Sequence, residues 1–195
     1  MNIKVTIKPT SEPLTTAEGK KQCEIATSVT EHDTFIDSLI KAARLYVENK
    51  TGIALFTQTV VQRWDSFPYA DRCDFYASLE LGYGEIQSIT SVKYIDVDGA
   101  EQTLVADTDY KASLTSTPPR IVPAYGKSWP STRPEPDAVY VTYVRGWDDV
   151  ADIPELLKRA MLMIVSTWFE CRNDSVKRFP SAADGLIHQY MAYVL

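Results

Sequence analysis

Few residues in this sequence are of types that carry chemistry, and those few are scattered. There are two histidines, His32 and His188. His32 falls at a helix start, where a solvated or capping role is expected. His188 lies in the last helix near Tyr190, where a surface or interface role is expected rather than a ligand's. No HExxH, no paired Cys/His ligand set and no GxSxG occurs. Tyr125-Gly126-Lys127-Ser128 contains a GKS triplet without the upstream glycine and spacing of a phosphate loop, so it reads as ordinary loop. The acidic pairs Asp96/Asp98, Asp107/Asp109 and Asp148/Asp149 raise calcium, but DVDGAEQTLVAD lacks ligands at the required offsets and the closing glutamate. Catalysis needs titratable groups that converge. Here no catalytic residue, metal site or cofactor is indicated, and the weight moves to a structural or binding role. The aromatics are the remaining candidates: 11 Tyr, 6 Phe and 4 Trp, with Tyr125, Trp129 and Trp147 in or beside proline-rich loops. Two readings stand side by side, rings folded back on a sheet and rings displayed as interface anchors.

Composition narrows the partners. The chain has 195 residues, is 45% hydrophobic and carries net charge −6, which fits one globular domain or one domain with a sizeable insertion. An acidic balance disfavours a protein that grips duplex DNA through a basic face. It is compatible with one that surrounds DNA and lets it slide. Three dispersed cysteines, Cys23, Cys73 and Cys171, suggest reduced thiols in a cytosolic protein. No run is long enough to cross a bilayer, and the polar start is unlike a signal peptide.

The elements that would position any site follow from periodicity. Residues 152–172 (DIPELLKRAMLMIVSTWFECR) read as the longest buried helix, capped by Asp152 with Glu155 reaching back and Pro154 in the first turn. Ile153, Leu157, Ala160, Met161, Ile164, Val165, Trp168 and Phe169 form its wide apolar stripe. Its expected mate is a helix capped by Thr30 or Asp33, with Ile36, Leu39, Ile40, Ala43, Tyr46 and Val47 on one face and Gly52 closing it. A short helix follows Thr15, whose capping box is completed by Glu18 and whose length is limited by Gly19. Residues 1–13 form an extended arm in which Ile3, Val5 and Ile7 alternate. Strands are expected at 55–64, 75–81, 88–96, 103–105 with 109–113, and 138–144, with a hairpin turn at Asp98-Gly99. A last helix over 182–195 carries an apolar end. The predicted class is α+β: one domain, 1–195, with a helical bundle frame from 14–52 and 152–195 and a small antiparallel β region inserted at 55–147.

Several segments together resemble one family. They are residues 12–20 (EPLTTAEGK), 39–52, 54–59 (ALFTQT), 86–94 (IQSITSVKY) with 96–99, 120–130 (RIVPAYGKSWP), 141–147 (VTYVRGW), 153–162 (IPELLKRAML) and 168–170 (WFE). In this order and spacing the chain resembles the phage head–tail connector (adaptor) proteins of the phiE125 gp8-like type, related to the gp6-like connectors. Gly19 stands where that family more often carries a helix former, and the end after Arg172 matches least.

The resemblance implies packed helices with an inserted β region and no catalytic residue or cofactor. It also implies a ring of identical subunits matching the portal's symmetry, sitting beneath the portal protein in the virion neck after assembly in the bacterial cytoplasm. Such a ring extends the DNA channel without specific DNA binding and docks the next neck or tail protein. The expected portal-facing residues are Lys177, Arg178, Phe179, Leu186, Ile187, Tyr190, Met191, Tyr193 and Leu195. Tyr125, Trp129, Arg133 and Trp147 are expected at a subunit or neck contact. The rival readings are another neck protein (stopper or tail-completion), a small hydrolase and a monomeric binding module.

Overall fold

The computed structural model describes residues 2–69, 77–82, 84–171 and 181–191. Among the described residues it is a mixed α+β structure of four α-helices and two antiparallel sheets. The chain divides into two compact units, each built from two separated stretches. One comprises Met1–Lys8 and Thr57–Gly146, the other Pro9–Phe56 and Trp147–Leu195.

The second unit is helical. α1 (Thr16–Gln22) starts as its sequence predicts: Thr15 accepts from the Glu18 N–H while the Glu18 carboxylate accepts from the Thr15 N–H. α2 (Asp33–Thr51) ends at Gly52, whose φ of 72° closes the helix in the left-handed region. Its N-cap is His32, which makes no side-chain capping bond, so neither Thr30 nor Asp33 caps it. Asp33 instead pairs with the buried Lys20, 2.7 Å away, and Lys20 also donates to the Thr27 carbonyl. α3 (Glu155–Glu170) begins three residues later than expected, and at 16 residues it is shorter than the 19 of α2. Residues Val150–Asp152 form a 3-10 turn capped by Asp149, and Ile153 is extended with ψ 127°, the conformation a following proline imposes. Pro154 therefore stands at the N-cap and Asp152 does not cap the helix. α4 (Ser181–His188) packs on α3 and α2.

One apolar cluster joins these helices. Ile36, Ile40, Ala43 and Val47 of α2 meet Leu157, Ala160, Met161, Ile164 and Val165 of α3, with Ala183 and Ile187 of α4. Burying a Leu, Met, Ile or Val side chain is worth about 1.5–3 kcal/mol. The four large residues of the α3 stripe thus contribute roughly 6–12 kcal/mol before chain entropy is counted. An ion-pair triad of the buried Arg44 with the half-buried Glu12 and Glu48 ties the unit's loose ends to α2. Arg44 donates to Glu12 at 2.7 Å and to Glu48 at 2.8 Å, and Glu48 accepts from the Leu55 N–H. Burial acts to lower the Arg44 pKa, but the two carboxylates outweigh it and hold the guanidinium above its ordinary value.

The first unit holds β1 (Asn2–Ile7), β2 (Gln58–Trp64), β3 (Leu79–Glu80), β4 (Ile86–Ile95), β5 (Glu101–Leu104), β6 (Tyr110–Ser113), β7 (Arg120–Pro123) and β8 (Val139–Arg145). They form a five-stranded sheet of order β1-β2-β8-β4-β5 and a three-stranded sheet of order β3-β7-β6. Among the described residues the β region thus holds eight strands in two sheets, larger than the small insertion expected, and it recruits the N-terminal arm as an edge strand. β8 lies at the centre and alternates as predicted, with Val139, Val141 and Tyr143 fully buried. Asp98-Gly99 makes the expected turn: Gly99 has φ 87°, and the Asp96 carboxylate accepts from the Asp98 and Ala100 N–H groups. β7 was not expected as a strand. Between the sheets lies a closed polar knot: Gln62 of β2 donates to the Glu80 carbonyl and accepts from the Gly82 N–H and the Tyr143 hydroxyl, at 3.1, 3.0 and 2.9 Å.

Candidate functional site

The aromatic loop after β7 lines one wall of a cleft. Pro123 ends the strand, Lys127 donates its N–H to the Ala124 carbonyl to make a turn, and Gly126 supplies φ 76°. The GKS triplet therefore sits in a reverse turn with no helix after it, and lacks the helix N-terminus that holds a phosphate. Lys127 lies 3.8 Å from the Asp109 carboxylate. Phe67, buried beneath the loop, stacks on Trp129 at 4.6 Å with 8° between the planes, and meets Tyr94 edge-on at 5.6 Å. Trp129 donates its indole N–H to the Ala77 carbonyl at 2.6 Å. Above this floor opens a cleft of about 400 Å³, lined by Ser66, Phe67, Pro68 and Tyr69 on one side and by Pro123 to Thr132 on the other. Tyr69 and Tyr125 stand exposed on its rim.

The four loop residues singled out in the sequence have different roles. Tyr125 is displayed to solvent. Trp129 is partly buried and builds the cleft floor, so the two readings of the aromatics divide between these two rings. Arg133 braces the loop on the β4–β5 hairpin: its N–H donates to the Ile95 carbonyl, and its guanidinium lies so close over Gly99 that a side chain there would strike it. Trp147 belongs to the helical unit, where it packs on the apolar cluster.

Of the residues expected to face a portal, Lys177, Arg178, Phe179, Tyr193 and Leu195 lie outside the described residues. Ile187 is 1% exposed and holds α4 to the helical core from within. Leu186 and Tyr190 pack at the edge of that core and remain half-exposed, as does Met191. α4 is anchored at Asp184, which accepts from the Tyr46 hydroxyl at 3.2 Å and lies 3.9 Å from the Lys50 ammonium. Other apolar residues are displayed beyond those the sequence points to: Phe35 and Leu45 on α2, off its buried stripe, and Val97 and Val105 flanking β5. Their signal was present as apolar residues falling off the helical period or beside acidic turns.

The perturbed titratable groups have plain structural causes. His32 meets the edge of Phe169 at 5.6 Å instead of capping α2. Cys23 is pushed up by burial and by Glu170. Burial, then its bond to Glu101, pushes the Tyr140 hydroxyl up to about 12. Burial also raises Tyr46, Tyr94, Tyr110 and Tyr143. Asp96 and Glu101 are lowered, first by bonds from Gln102 and Lys93 respectively. Each of these shifts moves its group further from neutral pH, whereas general acid–base catalysis tunes groups toward it. Among the described residues no group of three or more His, Cys, Asp or Glu is placed to hold a metal ion, and no helix is long and apolar enough to cross a membrane.

No protein-family model matches the chain, and no curated protein does. Solved structures do. A chain from the neck of an empty GTA particle, computed with C6 symmetry, superposes with a TM-score of 0.79 at 17% identity, over 100% of this chain and 97% of that one. A chain from the virion of a native gene transfer agent (GTA) particle gives 0.78, and one from the neck of the native particle, computed with C12 symmetry, gives 0.77, at the same identity and coverage. At this identity the likeness is one of fold.

Proposed function

We propose that the chain is a non-enzymatic structural subunit of a phage or prophage neck. In this reading it is a head–tail connector (adaptor) of the gp8-like or gp6-like type, forming a ring beneath the portal. The ring extends the DNA channel and docks the next neck or tail protein. The observation that carries the reading is the end-to-end correspondence of fold with a chain of the GTA neck. Three further observations support it. Cys23, the raised tyrosines, Asp96 and Glu101 shift away from neutrality, as suits a scaffold. A net charge of −6 suits the wall of a channel through which DNA slides unbound. Apolar side chains stand exposed in both units, Ile7 and Tyr125 in one and Leu45 in the other, as a closed ring needs when one face of a subunit must fit a different face of its neighbour.

The helical unit is then the frame, with the outer side of α4 (Leu186, Tyr190, Met191) and the flanking Lys177, Arg178, Phe179, Tyr193 and Leu195 toward the portal. The loop bearing Tyr125 is the subunit or neck contact. The test is mass by light scattering, for the chain alone and after mixing with the portal protein of the same genome. A ring, or a monomer that moves into a large complex with portal, is expected; a monomer that ignores the portal overturns the reading. Deleting 182–195 should abolish portal binding, and full binding without it would remove that segment from the interface. The eight-stranded β unit favours a second reading, a stopper, which would bind a preassembled portal–adaptor complex but not bare portal.

A further inference from the structure

The five-stranded sheet ends in two edges of opposite character. On one side β1 presents Lys4 and Lys8 to solvent, with Val5 38% and Ile7 61% exposed between them. Residues 1–8 contain no acidic side chain. On the other side β5 is flanked by Val97, 63% exposed, and Val105, 57% exposed. The stretch 96–109 around it carries Asp96, Asp98, Glu101, Asp107 and Asp109 and no basic residue. Lys93, Lys111 and Lys127 lie 2.6, 3.0 and 3.8 Å from Glu101, Asp107 and Asp109, and Arg133, over Gly99, lies 3.5 Å from Glu135, so Asp96 and Asp98 keep this edge negative. Among the described residues neither β1 nor β5 has a second neighbour in the sheet. A strand edge left open is a template for another chain.

We propose that neighbouring copies of this chain join through these edges, the basic β1 edge of one lying against the acidic β5 edge of the next. The inference rests on the ring reading above and names the surface that closes the ring. Topology makes the junction repeatable. All four pairings in the sheet are antiparallel, so with five strands the two edges run in the same direction. A copy related by rotation about an axis along the strands brings its β1 beside the first copy's β5 as a parallel pair. The ends carrying Ile7 and Val105 then meet, and the same contact recurs until the circle closes. Opposite charges set the partner choice, and the exposed valines and isoleucine supply the dry contact.

Charge reversal tests this in the full-length chain, with ring mass read by light scattering alone and on the portal protein. Lys4→Glu with Lys8→Glu should raise the concentration needed for assembly by about tenfold or more. Asp98→Lys with Asp107→Asn should do the same, and the four changes together should restore assembly. Raised salt should weaken the wild-type ring. As a second measurement, Ile7→Cys combined with Val105→Cys should give a ladder of disulfide-linked multimers on oxidation that neither single variant gives. A wild-type ring with unaffected charge variants and no ladder overturns the junction while the ring reading stands; Lys4 and Lys8 would then only blunt an edge. A wild type that stays monomeric with portal present overturns both.

Discussion

Gln62 and Tyr143 share one task, to fill the seam between two sheets without leaving a buried polar atom unpaired. Gly82 completes the knot: a Cβ there would come within 2.9 Å of both Ile3 and the Tyr143 hydroxyl. Removing one partner strands the others in a dry site, which costs more than the bond itself. Gln62→Ala is therefore expected to lose about 2–3 kcal/mol and Tyr143→Phe about 1 kcal/mol, read from urea unfolding. Tyr140 carries a different signature. Its pKa, pushed up to about 12, lies above the value of about 10 for a free phenol, so the native state keeps a proton that the unfolded chain gives up. That contribution is complete below about pH 10 and is lost as pH rises through about 12. The partner Glu101 runs the other way: its lowered pKa gives a contribution present above its ordinary value and lost as pH falls through the folded one. Tyr140→Phe should remove a phenol that titrates near pH 12 from an absorbance titration and flatten the stability curve above pH 10.

At the scale of elements, α1 shows a helix whose apparent flaw is its packing surface. Glycine at position 19 weakens a helix by about 1 kcal/mol relative to alanine. A Cβ there, however, would lie 2.6 Å from Ile36 Cγ2 and 3.3 Å from Ile40 Cδ1, both on buried residues of α2. Gly19→Ala should therefore destabilise by about 1–3 kcal/mol in thermal unfolding, against its propensity. This is also where the sequence spoke unevenly. The Thr15/Glu18 box was legible because capping is settled within four residues. The equally good pattern at Asp152 and Glu155 failed because Pro154 forces its predecessor to be extended, leaving Asp149 to cap a separate turn. The stripes of α2 and α3 could be read from period alone. β7 was hidden because its four residues follow Pro119 and end in Pro123, and only the pair Ile121-Val122 marks it. The pairing of β1 with β2 in the larger sheet was beyond reach, since the two strands lie far apart in sequence.

For the whole molecule, the aromatic loop separates folding from association. Trp129 supports the cleft from below, and Trp129→Ala should cost about 3–5 kcal/mol of stability. Tyr125 touches solvent, and Tyr125→Ala should change stability by less than about 0.5 kcal/mol. If the loop is a contact, the same change should weaken assembly on portal. Chemical denaturation beside light scattering distinguishes the two. A Tyr125 variant that assembles like wild type would remove the loop from the interface. This candidate site was half legible: the proline-rich composition marked the loop, while the stacking of Trp129 on Phe67 joins residues 62 positions apart and left no local trace.

Each unit is closed by a late returning strand or helix, and that sets a clock. α2 ends at Thr51 and its partner α3 begins at Glu155, about a hundred residues later. At ~5–20 residues per second of synthesis, the apolar stripe of α2 waits roughly 5–20 s outside the ribosome before α3 exists to cover it. β1 emerges first and finds β2 within about fifty residues. That pair can thus form while the first two helices remain uncovered, whereas the sheet closes only when β8 is made, ten residues before α3 begins; a chain stalled before residue 155 would expose Ile36, Ile40 and Val47 to chaperones or to one another.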